Sequence, residues 1–300
     1  MLLQPELRSL LSNRAFTEDE WKQVPTSIDG IPVLLHAPHA YIEGMGTEWD
    51  AELGALPFSA LAHLARYIPH LREGSEPIRS YLRETLEQQL VAPIDLAIEA
   101  GCSVGADLPT LARVSKRVIG FDSYMTPLRI ARRFISGEEI TLPLRDEGRG
   151  FSFDTGPIRT DPLTNVSLVC GDALDPPFLP ESADVVVAMN LLDNVNSPLN
   201  LLAQLDAILK PGGLLIVASP FNWNDAITPP NEQLAGSLDP VFEGLNSAQA
   251  LIQIVEGRSR YHTHLNYSVV DERDLRWVIQ EHSRCRVEYT VFACALRKAS

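Results

Sequence analysis

The chain has 300 residues, 45% hydrophobic and 21% charged, a balance that suits a globular protein of one large domain or a domain with an extension. Lys and Arg number 25 against 39 Asp and Glu, and the resulting net charge of −14 argues against a phosphate-tracking surface for nucleic acid. No apolar run approaches the ~20 residues of a membrane span, and residues 1–6 lack the basic start and apolar stretch of a signal peptide, so a cytoplasmic protein without a membrane or nucleic-acid partner is expected.

Residues 1–75 read as an N-terminal extension to a domain over 76–300. The segment TSIDGIPVLL at 26–35 predicts a tight turn at Asp29 and Gly30, then a short strand. His36 and His39 follow without acidic or thiol companions, and are read as a solvated or capping pair rather than metal ligands. Helices are expected over 57–67 and 76–91, the second with Ile78, Leu82, Leu86 and Leu90 along one stripe.

IDLAI at 94–98 reads as a short buried strand that breaks into the small-residue turn EAGCSVG at 99–105. A strand, a glycine turn and a helix start let backbone approach a ligand and aim free N–H groups at it. Glu99, Gly101, Cys102, Ser103 and Gly105 form the candidate cradle. Ser103 stands where a dinucleotide fingerprint needs glycine, and Glu99 would repel a pyrophosphate but attract a cation, which disfavours a nicotinamide-dependent oxidoreductase. A helix over 106–115 and a strand over 116–119 lead to Asp122 and Ser123, about 20 residues beyond the turn, where doubly wound folds place an acid for ribose hydroxyls. Residues 134–166 are an insertion rich in Gly, Pro and charge, predicted as a hairpin or lid, with Arg145 and Arg149 either carboxylate binders or solvated charges.

The next strand, 166–170, ends at Gly171, Asp172 and Ala173, and the one after it, 184–189, runs into Asn190, Leu191, Leu192 and Asp193. Ser197 is expected to cap a helix from Pro198 that buries Leu199, Leu202, Leu205 and Ile208. Pro211, Gly212 and Gly213 stop that helix before a strand over 213–218. A helix near 271–282 and a closing antiparallel strand or hairpin through 287–297 complete the chain. Cys102, Cys170, Cys285 and Cys294 form no C-x-x-C pair, and read as reduced thiols rather than a zinc or redox motif.

In its order of strands, glycine turn and strand-end acids, the stretch over about 90–220 resembles the class I S-adenosylmethionine (SAM)-dependent methyltransferases. The resemblance implies an α/β, Rossmann-like sheet of seven mostly parallel strands with helices on both faces and a reversed last strand. It implies SAM as cofactor, held by Glu99, Gly101, Cys102, Ser103, Gly105, Asp122, Ser123, Asp172, Ala173 and Asn190. Residues 29–35 look like the end of a small zinc-ribbon domain found ahead of some methyltransferases, here without ligand cysteines, so 1–75 is read as a metal-free remnant and lid. After the fifth strand, Ser219, Pro220, Trp223, Thr228, Pro229, Leu234 and Gly236 are similar to the methyltransferase part of ovothiol-biosynthesis proteins, with Gln233 where an aromatic would be expected.

Methyl transfer from a sulfonium needs an aligned, desolvated nucleophile, and a base only where that nucleophile is protonated. Asn190 and Asp193, at the head of the fourth strand, and Trp223 are the candidate catalytic residues; capping by Asp193 and packing by Trp223 stand beside those roles. Asn-Leu-Leu-Asp is not the Asn-Pro-Pro-aromatic signature of enzymes that methylate amide or exocyclic nitrogens. The expected reaction is methylation of N, O or S in a small molecule or peptide; the alternative is a non-catalytic protein of the same fold with a binding or regulatory role. The oligomeric state is left open.

Overall fold

The computed structural model describes residues 5–22, 26–46, 55–72, 77–158, 161–235, 240–261 and 264–300. Among the described residues, thirteen strands and eight α-helices are arranged around one nine-stranded sheet. Its parallel centre consists of β5 (Ile94–Ala100), β6 (Ser115–Asp122), β9 (Val166–Gly171), β10 (Ala183–Met189) and β11 (Leu209–Ser219). Central strands covered on both faces must be apolar throughout, and Val185, Val186, Val187 and Ala188 of β10 are fully buried.

The spatial order is β12-β13-β11-β10-β5-β6-β9-β4-β3. β13 (Cys285–Lys298) runs antiparallel to β11, and supplies the reversed strand. β12 (Tyr267–His282) occupies the span where a helix is expected, a correction to the sequence reading. Leu275, Val278 and Ile279 fit a helical stripe, but Leu275, Trp277 and Ile279 also alternate, and pairing along β13 from Tyr267↔Lys298 to His282↔Cys285 decides for the strand.

At the far edge, β3 (Ser27–Ile28) and β4 (Ile31–Leu34) turn about Asp29 and Gly30, both at positive φ, and β4 pairs in parallel with β9. These two strands lie beyond the seven expected. A separate hairpin, β1 (Arg8–Ser9) with β2 (Arg14–Ala15), precedes helix α1 (Glu18–Lys22).

Helices cover both faces. α3 (Phe58–Tyr67), α4 (Pro77–Gln89), α5 (Leu108–Ala112) and α6 (Met125–Ser136) bury Leu64, Leu82, Leu108 and Leu128 against one face. α7 (Pro198–Ile208) and α8 (Ser247–Val255) bury Leu201, Leu205, Leu251 and Ile254 against the other. Each fully buried leucine contributes about 1.5–3 kcal/mol by removal from water. α6 ends where Gly137 takes the left-handed conformation at φ 73°.

Ser197 precedes α7 but does not cap it; its hydroxyl donates to Glu232 at 3.1 Å. The insertion forms the expected hairpin, β7 (Glu139–Arg145) with β8 (Phe151–Pro157), whose Ile140 and Leu142 join the core beneath α3. Arg145 and Arg149 lie over the Phe58 ring at 5.1 and 4.4 Å, so their guanidiniums are engaged by an aromatic face rather than presented to a ligand. No described helix is long and apolar enough to cross a membrane.

Candidate active site

The carboxyl ends of parallel strands open toward one side of the sheet, and ligands bind such crevices in open α/β folds. Here the ends of β5, β6, β10 and β11 floor a cavity of about 460 Å³, roofed by α3, α4 and the β12–β13 pair. That volume lies within the range of small-molecule sites.

The turn after β5 is hooked to its neighbour: the Gly101 and Cys102 amides both donate to the Phe121 carbonyl, at 2.9 and 3.1 Å. Gly101 takes φ 69°, and a Cβ there would stand 2.9 Å from Leu191 Cδ1, so the turn after β10 leans directly on it. Ser103, at φ 48°, aims its amide at Asp122 Oδ2, 2.9 Å away, and the other Asp122 oxygen accepts from the Tyr124 amide at 2.8 Å. Asp122 thus fixes the cradle while lining the cavity beside Ser123.

Glu99 is 3% exposed, and its Oε2 has no hydrogen-bond partner among the described residues. Burial pushes its carboxyl well above the usual range, with the Asp107 and Asp122 carboxylates adding to the rise and Arg79 opposing it. Ser103 Oγ and Asn190 Oδ1 are likewise buried without partners. These three atoms belong to residues that line one cavity, and each costs about 1–3 kcal/mol until something meets it. A ligand with a cationic head and hydroxyls meets that requirement.

Asn190, also at positive φ, donates its amide to Ala218 O at 2.7 Å, which binds the ends of β10 and β11 together. Asp193, 2% exposed, sits in a tight turn, Leu192–Asn194. Its Oδ1 accepts from Ser219 Oγ at 3.0 Å and its Oδ2 from the Asn222 amide at 2.8 Å, while burial raises its pKa. Both oxygens are therefore committed to the chain that leaves β11, and Asp193 caps no helix.

The structure brings Glu99, Gly101, Cys102, Ser103, Asp122, Ser123, Asn190 and Asp193 together at the cavity, and leaves four expected residues outside its lining. Gly105 supports the turn from behind: at φ 79°, a Cβ on it would come within 2.9 Å of Leu108 Cδ1 and 3.1 Å of Ala131 Cβ. Asp172 is exposed and closes a local turn, accepting from the Leu174 amide at 2.9 Å; Ala173 packs against the core on the α7 and α8 side of the sheet. Trp223 packs too, its indole N–H donating to Ser247 Oγ at 3.1 Å.

Sequence reasoning missed Tyr41 on α2 (Pro38–Met45), which donates to the Ser123 carbonyl at 2.8 Å and accepts from the Met125 amide at 2.9 Å. It also missed His63, Tyr67, Trp277 and Tyr289 on the roof. A His-Tyr pair four residues apart on α3, and the alternation in β12, were the available signals. His36 pairs with Asp175, away from the cavity. Cys102, Cys170 and Cys294 are buried free thiols and Cys285 is a half-buried one.

A family model described as a methyltransferase domain matches residues 98–217. An uncharacterized 37.1 kDa protein in transposon Tn4556 of Streptomyces fradiae is 30% identical over 173 residues, 57% of this chain and 42% of that protein. The ubiquinone biosynthesis O-methyltransferase of Actinobacillus pleuropneumoniae is 25% identical over 122 residues, 41% of this chain and 44% of that enzyme. The chain thus spans less than half the length of these curated relatives. Among solved structures, the N-methyltransferase NodS of Bradyrhizobium japonicum, in complex with S-adenosyl-L-homocysteine, aligns with a TM-score of 0.49 at 15% identity, over 81% of this chain and 98% of that one.

Proposed function

We propose that the chain, whose residues 98–217 match a family model described as a methyltransferase domain, binds SAM over the ends of β5, β6 and β10 and transfers its methyl group to N, O or S of a small molecule or peptide. The observation that carries this reading is the buried, partnerless Oε2 of Glu99. An ammonium group would offset its desolvation, as the phosphates of a dinucleotide would not.

Asp122 would accept from the two ribose hydroxyls, and Ser103 Oγ and Asn190 Oδ1 would be available to polar groups of the methionine part. Bound there, SAM supplies a sulfonium-activated methyl group and leaves as a thioether. The chain's own work is to orient and to exclude water: Glu99 would hold the ammonium end of the cofactor and Asp122 its ribose, and the roof desolvates the space beyond. Asp193 acts as a positioning residue, because its carboxylate holds Ser219 and Asn222 rather than a substrate.

Gln233 donates to Asp225 Oδ1 and to the Thr228 carbonyl, so it braces the 225–233 loop at the position where the ovothiol-type pattern has an aromatic; Gly236 lies outside the described residues. A thiol-imidazole acceptor is therefore not carried over with that likeness. Isothermal titration with SAM, S-adenosylhomocysteine and NAD tests the reading. The first two should bind and NAD should not, and Asp122→Ala should weaken SAM by about 2–4 kcal/mol. Binding of NAD alone, or unchanged SAM affinity in folded Asp122→Ala, overturns it.

A further inference from the structure

Part of the cavity wall is made of aromatic rings. His63 and Tyr67 stand one turn apart on α3 with centroids 4.8 Å apart, and His63 reaches Tyr124 at 5.6 Å. Trp277 and Tyr289 are direct cross-strand partners at 5.5 Å, and Trp277 lies 6.5 Å from Tyr67. All five line the cavity, joining the roof to the floor around Asn190. Resting on the cofactor site proposed above, we propose that this compartment takes a flat aromatic acceptor bearing a hydroxyl, a phenol, and that His63 accepts the hydroxyl proton.

Three observations select a phenol over a ring that carries an alkylammonium group. Faces of Tyr and Trp hold a flat ring by offset or edge contacts and would also attract a cation, so charge must decide. The guanidinium of Arg66 lines the same compartment, and its carboxylate partner Glu281 is already held by it. The Asp193 carboxylate is committed to Ser219 and Asn222. An ammonium would thus enter beside a guanidinium and find no spare acid on that side. Finally, neither ring nitrogen of His63 has a hydrogen-bond partner among the described residues.

Burial, with Arg66 adding to it, lowers the His63 pKa and keeps the imidazole neutral near pH 7, able to take a proton. Tyr67 and Tyr124 contact it directly; around Tyr67 stand His70, Tyr289, Asp193 and Glu281, the last paired with Arg66. In the transfer the hydroxyl O–H bond breaks and its proton goes to His63. An O–CH3 bond forms as the S–CH3 bond breaks, and the electron pair stays on sulfur. The imidazolium then returns the proton to solvent.

The test uses the whole chain and para-nitrophenol, whose absorbance reports its ionisation, with benzylamine as the cationic ring of similar size. With S-adenosylhomocysteine bound, para-nitrophenol should bind and quench tryptophan fluorescence, and benzylamine should bind at least about tenfold more weakly. Trp277→Ala should weaken the phenol by about tenfold or more. Trp277→Phe should retain most of the binding, and neither change should alter S-adenosylhomocysteine affinity, which also reports folding. His63→Gln should still bind para-nitrophenol but methylate it more slowly, and its rate should rise with pH as the phenol ionises unaided.

Tighter binding of benzylamine than of para-nitrophenol, no phenol binding by a protein that binds S-adenosylhomocysteine, or a His63→Gln rate that keeps the wild-type pH profile overturns the proposal. Failure to bind SAM or S-adenosylhomocysteine at all overturns the cofactor reading instead.

Discussion

Replacing Glu99 with Gln should separate two effects of one buried carboxyl. In the ligand-free protein Oε2 has no partner, and burial, Asp107 and Asp122 raise the carboxyl pKa above 4.5, its value in an unfolded chain. An acid whose pKa is raised by folding contributes stability that is fully present below the unfolded value and is lost as pH rises through the folded one. Glu99→Gln removes that titration. Free Glu99→Gln protein should therefore melt higher than wild type at neutral pH, and the difference should shrink as pH falls toward 4.5.

Ligand binding should respond in the opposite sense. A charge-assisted contact to a buried carboxylate is worth about 1.5–3 kcal/mol, so Glu99→Gln should weaken SAM roughly 10- to 150-fold. Wild type should also release a proton on binding, because the ammonium draws the carboxyl into its charged form. Calorimetry in two buffers of different ionisation enthalpy reads that proton, and the variant should show none from this site. Equal SAM affinity in the two proteins, or a free variant less stable than wild type across the whole pH range, would refute the reasoning.

Tyr41→Phe should leave the Met125 amide without its 2.9 Å acceptor and release the Ser123 carbonyl, at a cost of about 1–3 kcal/mol in stability, with weaker SAM binding by calorimetry. Gly105→Ala combines φ 79° with a Cβ 3.1 Å from that of Ala131, and should lower stability by about 1–3 kcal/mol in denaturant titrations. Asp193→Asn can replace one accepting oxygen but not both; it should reduce turnover more than SAM affinity, and equal losses would place Asp193 in the cofactor site rather than in support of the acceptor side.

The parallel half of the sheet was legible because its determinants are local. Buried parallel strands require continuous apolar runs, as at 185–188, and the turns between them need Gly101 and Gly105 at positive φ. Glu99 and Asp122 were legible for the same reason, since strand ends fix which side chains face the crevice. What was not legible depended on distant pairing. β12 carries a pattern that fits two periodicities, and its partner in β13, reached after a two-residue turn, decides between them. Tyr41 meets Ser123 and Met125 across more than eighty residues, a contact no spacing announces. Asp172 and Trp223 matched a pattern by position, yet their polar groups are used locally by Leu174 and Ser247.

The two halves of the cavity differ in how the fold maintains them, and this bears on how each can change. On the floor, Asp122 holds the Ser103 amide, Phe121 O holds two more, and Asn190 ties β10 to β11, so its ligand-facing atoms are set by backbone contacts of the sheet itself. Altering one of them disturbs the cradle as well as the contact. The roof is built from side chains on α3, β12 and β13, whose backbones are secured elsewhere by helix packing and strand pairing. Exchanging Trp277 or Tyr289 for another ring changes the shape of the compartment while the β12–β13 ladder stays intact. Substitutions there should change which acceptor fits by tens of fold in Kd, at less than about 1.5 kcal/mol in stability where volume is conserved. Acceptor choice is thus separable from cofactor binding in this chain, and a panel of roof variants should show phenol affinity varying while S-adenosylhomocysteine affinity holds; if the two move together, the cavity is one site and the division fails.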